Sequence, residues 1–169
     1  MTYQAAYNYD GVDIKLANAL WALGYLRSDD LPKIAEELKR QGNRSAALSK
    51  LADEPGDGPD NRMLFEKAMV ELEGGSLGLR TAVLEYAYWI SGLIGAGDLT
   101  PYEGAKVIWE VADRARVKGT LVEELNGFIY AASEYEDRQN DQEMIAEAIA
   151  KKAATLLRDR RSSRDPSPA

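Results

Sequence analysis

The sequence predicts an all-α fold: a single-domain bundle of about eight helices, with a buried central helix near residues 77–95. Apolar residues recur at positions i, i+3, i+4 and i+7 along most of the chain, which is the period of an amphipathic helix. No segment alternates between apolar and polar residues as a half-buried strand would. A chain of 169 residues that is 45% apolar can bury a sizeable core, so we expect one domain over residues 1–161 and a disordered tail over 162–169.

The first predicted helices are separated by capping residues and by a loop. Asp29 or Asp30 can cap the helix that contains Pro32, and Gly42 can end that helix. Residues 54–60 are rich in Pro, Gly and Asp, which is typical of a surface loop. The predicted helices span residues 12–27, 30–41, 44–53, 61–73, 77–95, 101–118, 121–135 and 140–161.

Two capping boxes are predicted in the second half of the chain. Thr100 can accept a hydrogen bond from the amide of Glu103, whose side chain can reach back to the amide of Thr100. Pro101 stands at the first helical position, where its missing N–H costs nothing. Thr120 and Glu123 have the same spacing, so we expect helices to start just after Thr100 and just after Thr120.

The composition excludes several classes of chemistry. The chain has no Cys and no His, which removes disulfides, thiol nucleophiles, zinc sites with Cys or His ligands, and Ser-His-Asp triads. The most apolar stretch, residues 77–96, is interrupted by Arg80 and Glu85, so we interpret it as a core helix and not as a membrane span. The N-terminus shows no secretory signal pattern. We therefore expect a cytoplasmic protein with no cofactor and no membrane partner.

The charge of the chain is acidic and unevenly distributed. Twenty-one basic and 28 acidic residues give a net charge of −7, which argues against broad binding to nucleic acid or anionic membranes. Residues 119–145 carry seven acidic side chains and one basic side chain. These charges either form a partner-binding surface or solvate a helix end and favour the start of the next helix. The predicted partner-binding residues are Glu123, Glu124, Glu134, Glu136, Asp137 and Asp141.

Part of this acidic segment suggests a metal-dependent alternative. Glu134 and Asp137 have an E-x-x-D spacing, which places both carboxylates on one helix face, and carboxylates are suitable ligands for Mg²⁺. Helical nucleotide pyrophosphatases of the MazG type combine such a motif with an E-x-x-E motif on an earlier helix. The earlier motif is missing here, because neither Glu123 nor Glu124 is followed three residues later by a carboxylate. An Mg²⁺-dependent nucleotide hydrolase is therefore an alternative function without a complete ligand set, and we assign no metal ligand.

A second alternative is a DNA-binding regulator. Residues 31–51 can be drawn as a helix-turn-helix with its turn at residues 41–43. The second helix would present Arg44 and Lys50 together with two serines, a thin basic face on an acidic protein. The basic residues of the last predicted helix need no nucleic acid to explain them, because a helix dipole favours cations at its C-terminal end.

The aromatic residues are interpreted mainly as packing residues. Trp21, Trp89 and Trp109 occur within apolar runs and are expected in the core. Three tyrosines within residues 3–9 precede the first predicted helix, and they either pack on the bundle or contact a partner.

Several motifs resemble those of a known family. The segment 97–105 reads GDLTPYEGA and is followed by Ile108 and Trp109, and residues 133–137 read SEYED. Over roughly residues 20–138 the chain resembles a family of small uncharacterised bacterial all-helical proteins. The resemblance implies a bacterial cytosolic helical protein, and it implies no particular activity.

Taken with the residue types that are missing, the charge pattern predicts a non-enzymatic cytosolic protein–protein interaction module. Its acidic face would bind a basic protein partner, as an immunity- or antitoxin-type inhibitor does. The Mg²⁺-dependent nucleotide hydrolase and the helix-turn-helix regulator remain the two alternatives, each with a measurable consequence.

Overall fold

Helices joined by loops and short 3-10 turns form the chain, and no strand occurs within the part that the structure covers. The structure is a computed structural model that describes residues 9–164, with side chains up to Ser162. This confirms the predicted all-α class. The 3-10 turns are Ser28–Asp30, Glu123–Leu125 and Gln139–Asp141. The helices are α1 (Ile14–Ala22), α2 (Leu31–Arg40), α3 (Ala46–Ala52), α4 (Asn61–Glu73), α5 (Leu79–Ala96), α6 (Pro101–Val117), α7 (Asn126–Asp137) and α8 (Gln142–Arg164).

Residues 9–164 form two compact units, 9–85 and 86–164, and the boundary between them falls within α5. In the first unit α2 packs against α3 and α4, and α3 packs against α4. In the second unit α6, α7 and α8 pack against one another. The single domain over residues 1–161 stays a prediction. Helix α8 continues to Arg164, three residues into the predicted tail, and residues 165–169 lie outside the described residues.

Within residues 9–85, the first unit buries the apolar faces of its helices together with the polar side chains of Asn18, Glu37 and Asn61. Asn18 of α1 is completely buried, and both ends of its amide are used. Its Nδ2 donates to the carbonyl of Gly75 at 2.9 Å, and its Oδ1 accepts from the amide of Leu77 at 3.2 Å. The loop after α4 is thereby tied to α1. The largest fully buried side chains of this unit are Leu20, Leu31, Ile34, Leu38, Leu48, Leu51, Phe65 and Met69.

Helix α5 buries one stripe of its surface. The prediction of a buried helix here is confirmed for that stripe, whereas Thr81, Gly92 and Gly95 are exposed. The helix looks apolar on all sides in the sequence because its remaining surface carries the half-buried Leu84, Trp89 and Leu93. No helix within residues 9–164 is long and apolar enough to cross a membrane. The buried stripe consists of Ala82, Val83, Tyr86, Ala87, Ile90, Ser91 and Ile94.

One of the two predicted capping boxes forms. The amide of Glu103 donates to Thr100 Oγ1 at 3.3 Å, and the amide of Thr100 donates to Glu103 Oε2 at 3.1 Å. The box at Thr120 was wrong, because the amide of Thr120 donates to the carbonyl of Ala115 at 2.9 Å and closes the end of α6 instead. A 3-10 turn follows, and α7 starts only at Asn126.

The start and the end of α2 differ in how well the sequence predicted them. Asp30 occupies the N-cap position, but its carboxylate makes no capping hydrogen bond, because the chain enters α2 through a 3-10 turn. Gly42 ends the helix as predicted, with a φ of +94° that favours glycine. The amide of Asn43 then donates to the carbonyl of Leu38 at 3.1 Å, as expected for this type of helix end.

Candidate functional site

The predicted acidic residues lie at the two ends of α7. Glu123 and Glu124 are exposed in the 3-10 turn that precedes the helix, and we call them the N-terminal acidic pair. Helix α7 is 12 residues and about 18 Å long at a rise of about 1.5 Å per residue, and three of the other carboxylates lie in its last turn. The one acidic face expected from the sequence is therefore two groups. The second group, the C-terminal acidic cluster, consists of Glu134, Glu136, Asp137 and Asp141.

Arg138 neutralises much of the C-terminal acidic cluster. Its Nη1 lies 3.0 Å from Glu134 Oε2, and its Nη2 lies 2.5 Å from Asp141 Oδ2. Carboxylates in the last turn of a helix oppose its dipole, so a cation at this place is favourable. Asp141 also precedes α8, where the dipole favours a negative charge. The expectation that these charges serve the ends of helices therefore accounts for Glu134 and Asp141.

Glu136 is engaged in a clamp between α6 and α7. The hydroxyl of Tyr102 donates to Glu136 Oε1 at 2.5 Å, and the Nζ of Lys106 lies 3.5 Å from the same oxygen. The ring of Tyr102 stacks on Tyr135, with centroids 4.3 Å apart. The hydrogen bond from Tyr102, assisted by the charge of Lys106, lowers the pKa of Glu136 below its usual range. The same hydrogen bond raises the pKa of Tyr102.

A cleft of about 210 Å³ lies between α6, α7 and the segment that connects them, and we call it the α6–α7 cleft. Its wall on α6 includes an ion pair in which Arg116 Nη2 lies 2.6 Å from Asp113 Oδ1. The lining also includes the polar side chains of Thr120 and Asn126, the hydroxyl of Tyr130 and the indole N–H of Trp109. The lining residues are Trp109, Ala112, Asp113, Arg116, Thr120, Leu121, Val122, Asn126, Ile129 and Tyr130.

Large apolar side chains are exposed at and beside this cleft. Leu121 is 65% exposed and Tyr130 is 71% exposed, and both line the cleft. Val117, in the last turn of α6, is 76% exposed. Exposed apolar and aromatic side chains gathered at a concave surface are typical of a protein-binding site. The other large apolar side chains that are exposed within the described residues are Met63 and Val70 of α4 and Met144 of α8.

Charged residues of both signs are close in sequence to residues that line the α6–α7 cleft. The N-terminal acidic pair lies between Val122 and Asn126, which both line the cleft. The exposed Lys118 follows the last turn of α6, and Arg116 of that turn lines the opposite wall. Arg116 is paired with Asp113 on the α6 wall, and the acidic pair lies in the turn that leads into α7.

Sequence reasoning did not find this cleft. Leu121 and Tyr130 both fall within the helix that was predicted over residues 121–135, and Tyr130 was given no role. Trp109 was expected in the core, but it is half-buried and lines the cleft. The position of Leu121 in the sequence could have indicated the cleft. Gly119 ends α6 with a φ of +82°, so Leu121 is an apolar residue in the segment that connects α6 to α7.

The Mg²⁺-dependent alternative requires a cluster of carboxylates that can share a metal ion. Among residues 9–164 no group of three or more Asp, Glu, His or Cys side chains could hold a metal ion. Of the E-x-x-D pair, Glu134 is paired with Arg138, and Asp137 is exposed in the last turn of α7.

Helices α2 and α3 do form two packed helices joined by a turn, as the helix-turn-helix prediction requires. Arg44 and Lys50 are exposed, while Ser45 is used to cap α3. The Oε2 of Glu71, from α4, accepts from the amide of Ala47 at 3.3 Å. A carboxylate at the start of α3 disfavours a phosphate there, so this geometry supports packing more than DNA recognition.

Tyr9 begins the described residues, while the other two tyrosines of the N-terminal arm lie outside them.

Comparison with protein families, with curated proteins and with solved structures finds no match for the chain. The resemblance to a family of bacterial helical proteins stays a prediction.

Proposed function

We propose that this chain is a protein–protein interaction module whose contact surface is the α6–α7 cleft together with the N-terminal acidic pair. The observation that carries the proposal is the exposure of Leu121 and Tyr130 at the mouth of the cleft. Burying such side chains removes apolar area from water, and aromatic residues are enriched where proteins bind each other.

The size of the cleft supports a protein partner. Sites for small molecules usually enclose about 300–1,000 Å³. A cleft of about 210 Å³ is smaller and suits one or two side chains inserted by a partner. Trp109 and Tyr130 would supply the aromatic walls for such an anchor.

The charges support a basic group in the partner. Glu123 and Glu124 lie in the turn between Val122 and Asn126, which both line the cleft, whereas Glu134, Glu136 and Asp141 lie at or beyond the other end of α7. The acidic contact predicted from the sequence is therefore assigned to its N-terminal pair. A cytosolic inhibitor of the immunity or antitoxin type remains an example of this class, and bacterial origin and cytoplasmic location are parts of the proposal.

Affinity capture with matched variants tests the proposal. The tagged chain, an L121S/Y130S variant and an M63S/V70S control are incubated with lysate of the source organism, and bound proteins are identified by mass spectrometry. Met63 and Val70 are exposed apolar residues of α4, so the control removes similar area elsewhere. We expect a stoichiometric partner that the wild type and the control retain and the cleft variant loses.

The acidic pair is tested in the same assay with an E123Q/E124Q variant. Loss of two rim carboxylates should weaken capture of that partner and reduce its sensitivity to salt. A partner that the cleft variant retains as well as the wild type does would contradict the assignment of the surface.

A further inference from the structure

Two half-buried tyrosines stack on each other where the first turn of α6 meets the last turn of α7. They are Tyr102 and Tyr135, and their ring centroids lie 4.3 Å apart with the planes inclined by only 14°. Neither ring belongs to the lining of the α6–α7 cleft. The pair is therefore a feature of the helix pair that is separate from the proposed contact surface.

The stacked arrangement has a chemical consequence for oxidation. A phenol that loses an electron and a proton carries its unpaired electron in the π system, mainly on the oxygen and on the ring carbons beside and opposite it. Two such radicals join when carbons beside their oxygens form a bond between facing π orbitals. Nearly parallel rings at 4.3 Å present those orbitals to each other, and their proximity makes the coupling an intramolecular reaction.

A proton acceptor for one of the two phenols is already in place. The hydroxyl of Tyr102 donates to Glu136 Oε1 at 2.5 Å. This hydrogen bond raises the pKa of Tyr102 and lowers the pKa of Glu136, so at neutral pH the phenol holds the proton and the carboxylate is free to accept it. Lys106 Nζ lies 3.5 Å from the same oxygen. Because the proton leaves with the electron, the ring gains no net charge that Lys106 would repel.

We infer that Tyr102 and Tyr135 form an oxidation site at which a one-electron oxidant, such as a peroxidase with hydrogen peroxide, couples the two rings into dityrosine. Each phenol gives one electron to one equivalent of the oxidant. The proton of Tyr102 passes to Glu136, and the proton of Tyr135 passes to water. One carbon–carbon bond then forms between the rings, and the hydrogens on the two bonded carbons move to the oxygens, which restores both phenols. The chain loses two electrons and two protons in total.

The new bond would join α6 to α7 covalently. Tyr102 lies near the start of α6 and Tyr135 near the end of α7, so the cross-link closes a loop that contains most of both helices. A closed loop lowers the entropy of the unfolded chain. We therefore expect the oxidised chain to unfold at a higher urea concentration than the unmodified chain.

Photo-oxidation of the dilute full chain with tris(bipyridine)ruthenium and persulfate tests the inference. We expect a monomeric product with dityrosine fluorescence whose mass is lower by two hydrogen atoms and whose peptide map links Tyr102 to Tyr135. Y102F and Y135F each keep a ring for stacking but remove one phenol, so each should lower the monomeric dityrosine yield about tenfold or more. The matched control is Y88F, which removes the hydroxyl of another half-buried tyrosine and should retain the yield.

The part played by Glu136 is tested separately. E136Q can still accept the hydrogen bond but not the proton, so the initial rate of cross-linking should fall about tenfold or more. E134Q, which changes a neighbouring carboxylate, should react at the wild-type rate. Circular dichroism of every variant shows whether the helices are retained. Equal rates for E136Q and E134Q would overturn the assignment of Glu136 as proton acceptor.

Two results would overturn the oxidation site itself. One is an oxidised wild-type monomer whose peptide map contains no link between Tyr102 and Tyr135. The other is a Y102F or Y135F variant that forms as much monomeric dityrosine as the wild type, since the cross-link would then use other tyrosines.

Discussion

Asn61 holds together the loop between α3 and α4. Its side chain is fully buried at the start of α4. Its Nδ2 donates to the carbonyls of Pro55 at 2.9 Å and Gly56 at 3.0 Å, and lies 3.4 Å from the carbonyl of Ser28. The composition of residues 54–60 predicted a loop correctly. It could not predict this organiser, because the contact with Ser28 exists only once the chain has folded.

Removal of this amide should be costly. We expect N61A to lower the free energy of unfolding by about 2 kcal/mol, because the carbonyls of Pro55, Gly56 and Ser28 lose their donor. N61D should be less stable still at neutral pH, since a carboxylate would face those carbonyls. Urea denaturation measures both, with N140A in an exposed turn as the control, expected to stay within about 0.5 kcal/mol of wild type. An N61A variant as stable as N140A would contradict this role.

Two glycines distinguish a rigid neighbour from a movable one. A Cβ at Gly104 of α6 would overlap Cδ1 of the buried Ile94, whereas a Cβ at Gly127 of α7 would overlap the end of the half-buried Lys152 side chain. We expect G104A to destabilise by about 1–3 kcal/mol through overpacking. G127A should be neutral or slightly stabilising, because Lys152 can swing away and alanine favours the helix. Chemical denaturation of the two variants compares them directly, and equal losses of stability would refute the distinction.

At the scale of elements, helix starts show what local sequence can and cannot specify. The box at Thr100 depends on residues within one turn, so its pattern was sufficient to predict it. The identical pattern at Thr120 failed, because its amide is used to close α6. The capping box and the end of the preceding helix both require the amide of the same residue. The spacing of Thr and Glu alone does not predict which of the two uses that amide.

This difference has a measurable result. T100A should lower the free energy of unfolding by about 1 kcal/mol, the usual cost of losing an N-cap. T120A removes no cap, so its stability should stay within about 0.5 kcal/mol of wild type. Thermal and urea denaturation of both variants provide the test. A larger loss for T120A than for T100A would show that the caps are assigned the wrong way round.

The clamp between α6 and α7 predicts a change in one titration. In a Y102F variant the stacked ring remains, but Glu136 loses the hydroxyl that holds its pKa down. We expect the pKa of Glu136 to rise towards its ordinary value of 4.5. Carbon-13 NMR of the carboxyl groups measures this pKa in both proteins. An unchanged titration of Glu136 would mean that the hydroxyl does not bind it in solution.

At the scale of the whole molecule, acid should destabilise the fold through a few carboxylates. Hydrogen bonds from Gln41 and then from the amide of Gly11 lower the pKa of Glu37, and the side chain and amide of Thr100 lower the pKa of Glu103. A carboxylate whose pKa is lower in the folded state contributes stability above its unfolded pKa. That contribution disappears as the pH falls through the folded pKa.

We therefore expect Tm to fall between about pH 5 and about pH 3, as these carboxylates take up protons. The variant E37Q/E103Q/E136Q should show a smaller fall over the same interval, because its amides do not titrate there. E36Q, which changes an exposed neighbour of Glu37, is the matched control. Scanning calorimetry across this range tests the expectation, and an equal fall in the triple variant would show that other groups govern acid unfolding.

The fold class and most helix limits could be predicted from the sequence, because helical periodicity and glycine ends are local properties. The candidate site could be predicted only in part. Glu123 and Glu124 were found through their charge, but their separation from the cluster at the other end of α7 depends on the conformation of the segment between the two groups. The cleft could not be found, because side chains that fit a helical period look the same whether they face a core or a surface.

Trp109 lies in the wall of the α6–α7 cleft, so its intrinsic fluorescence can report on binding at this surface. The indole is half-buried there, and any chain that enters the cleft removes water from it. Its emission should then shift to shorter wavelength. Trp21 contacts Phe65 and Arg62, and Trp89 lies beside Tyr86, so a W109F variant provides the background of the other two indoles. Docking on this surface can thus be followed by intrinsic fluorescence, in real time and without a label.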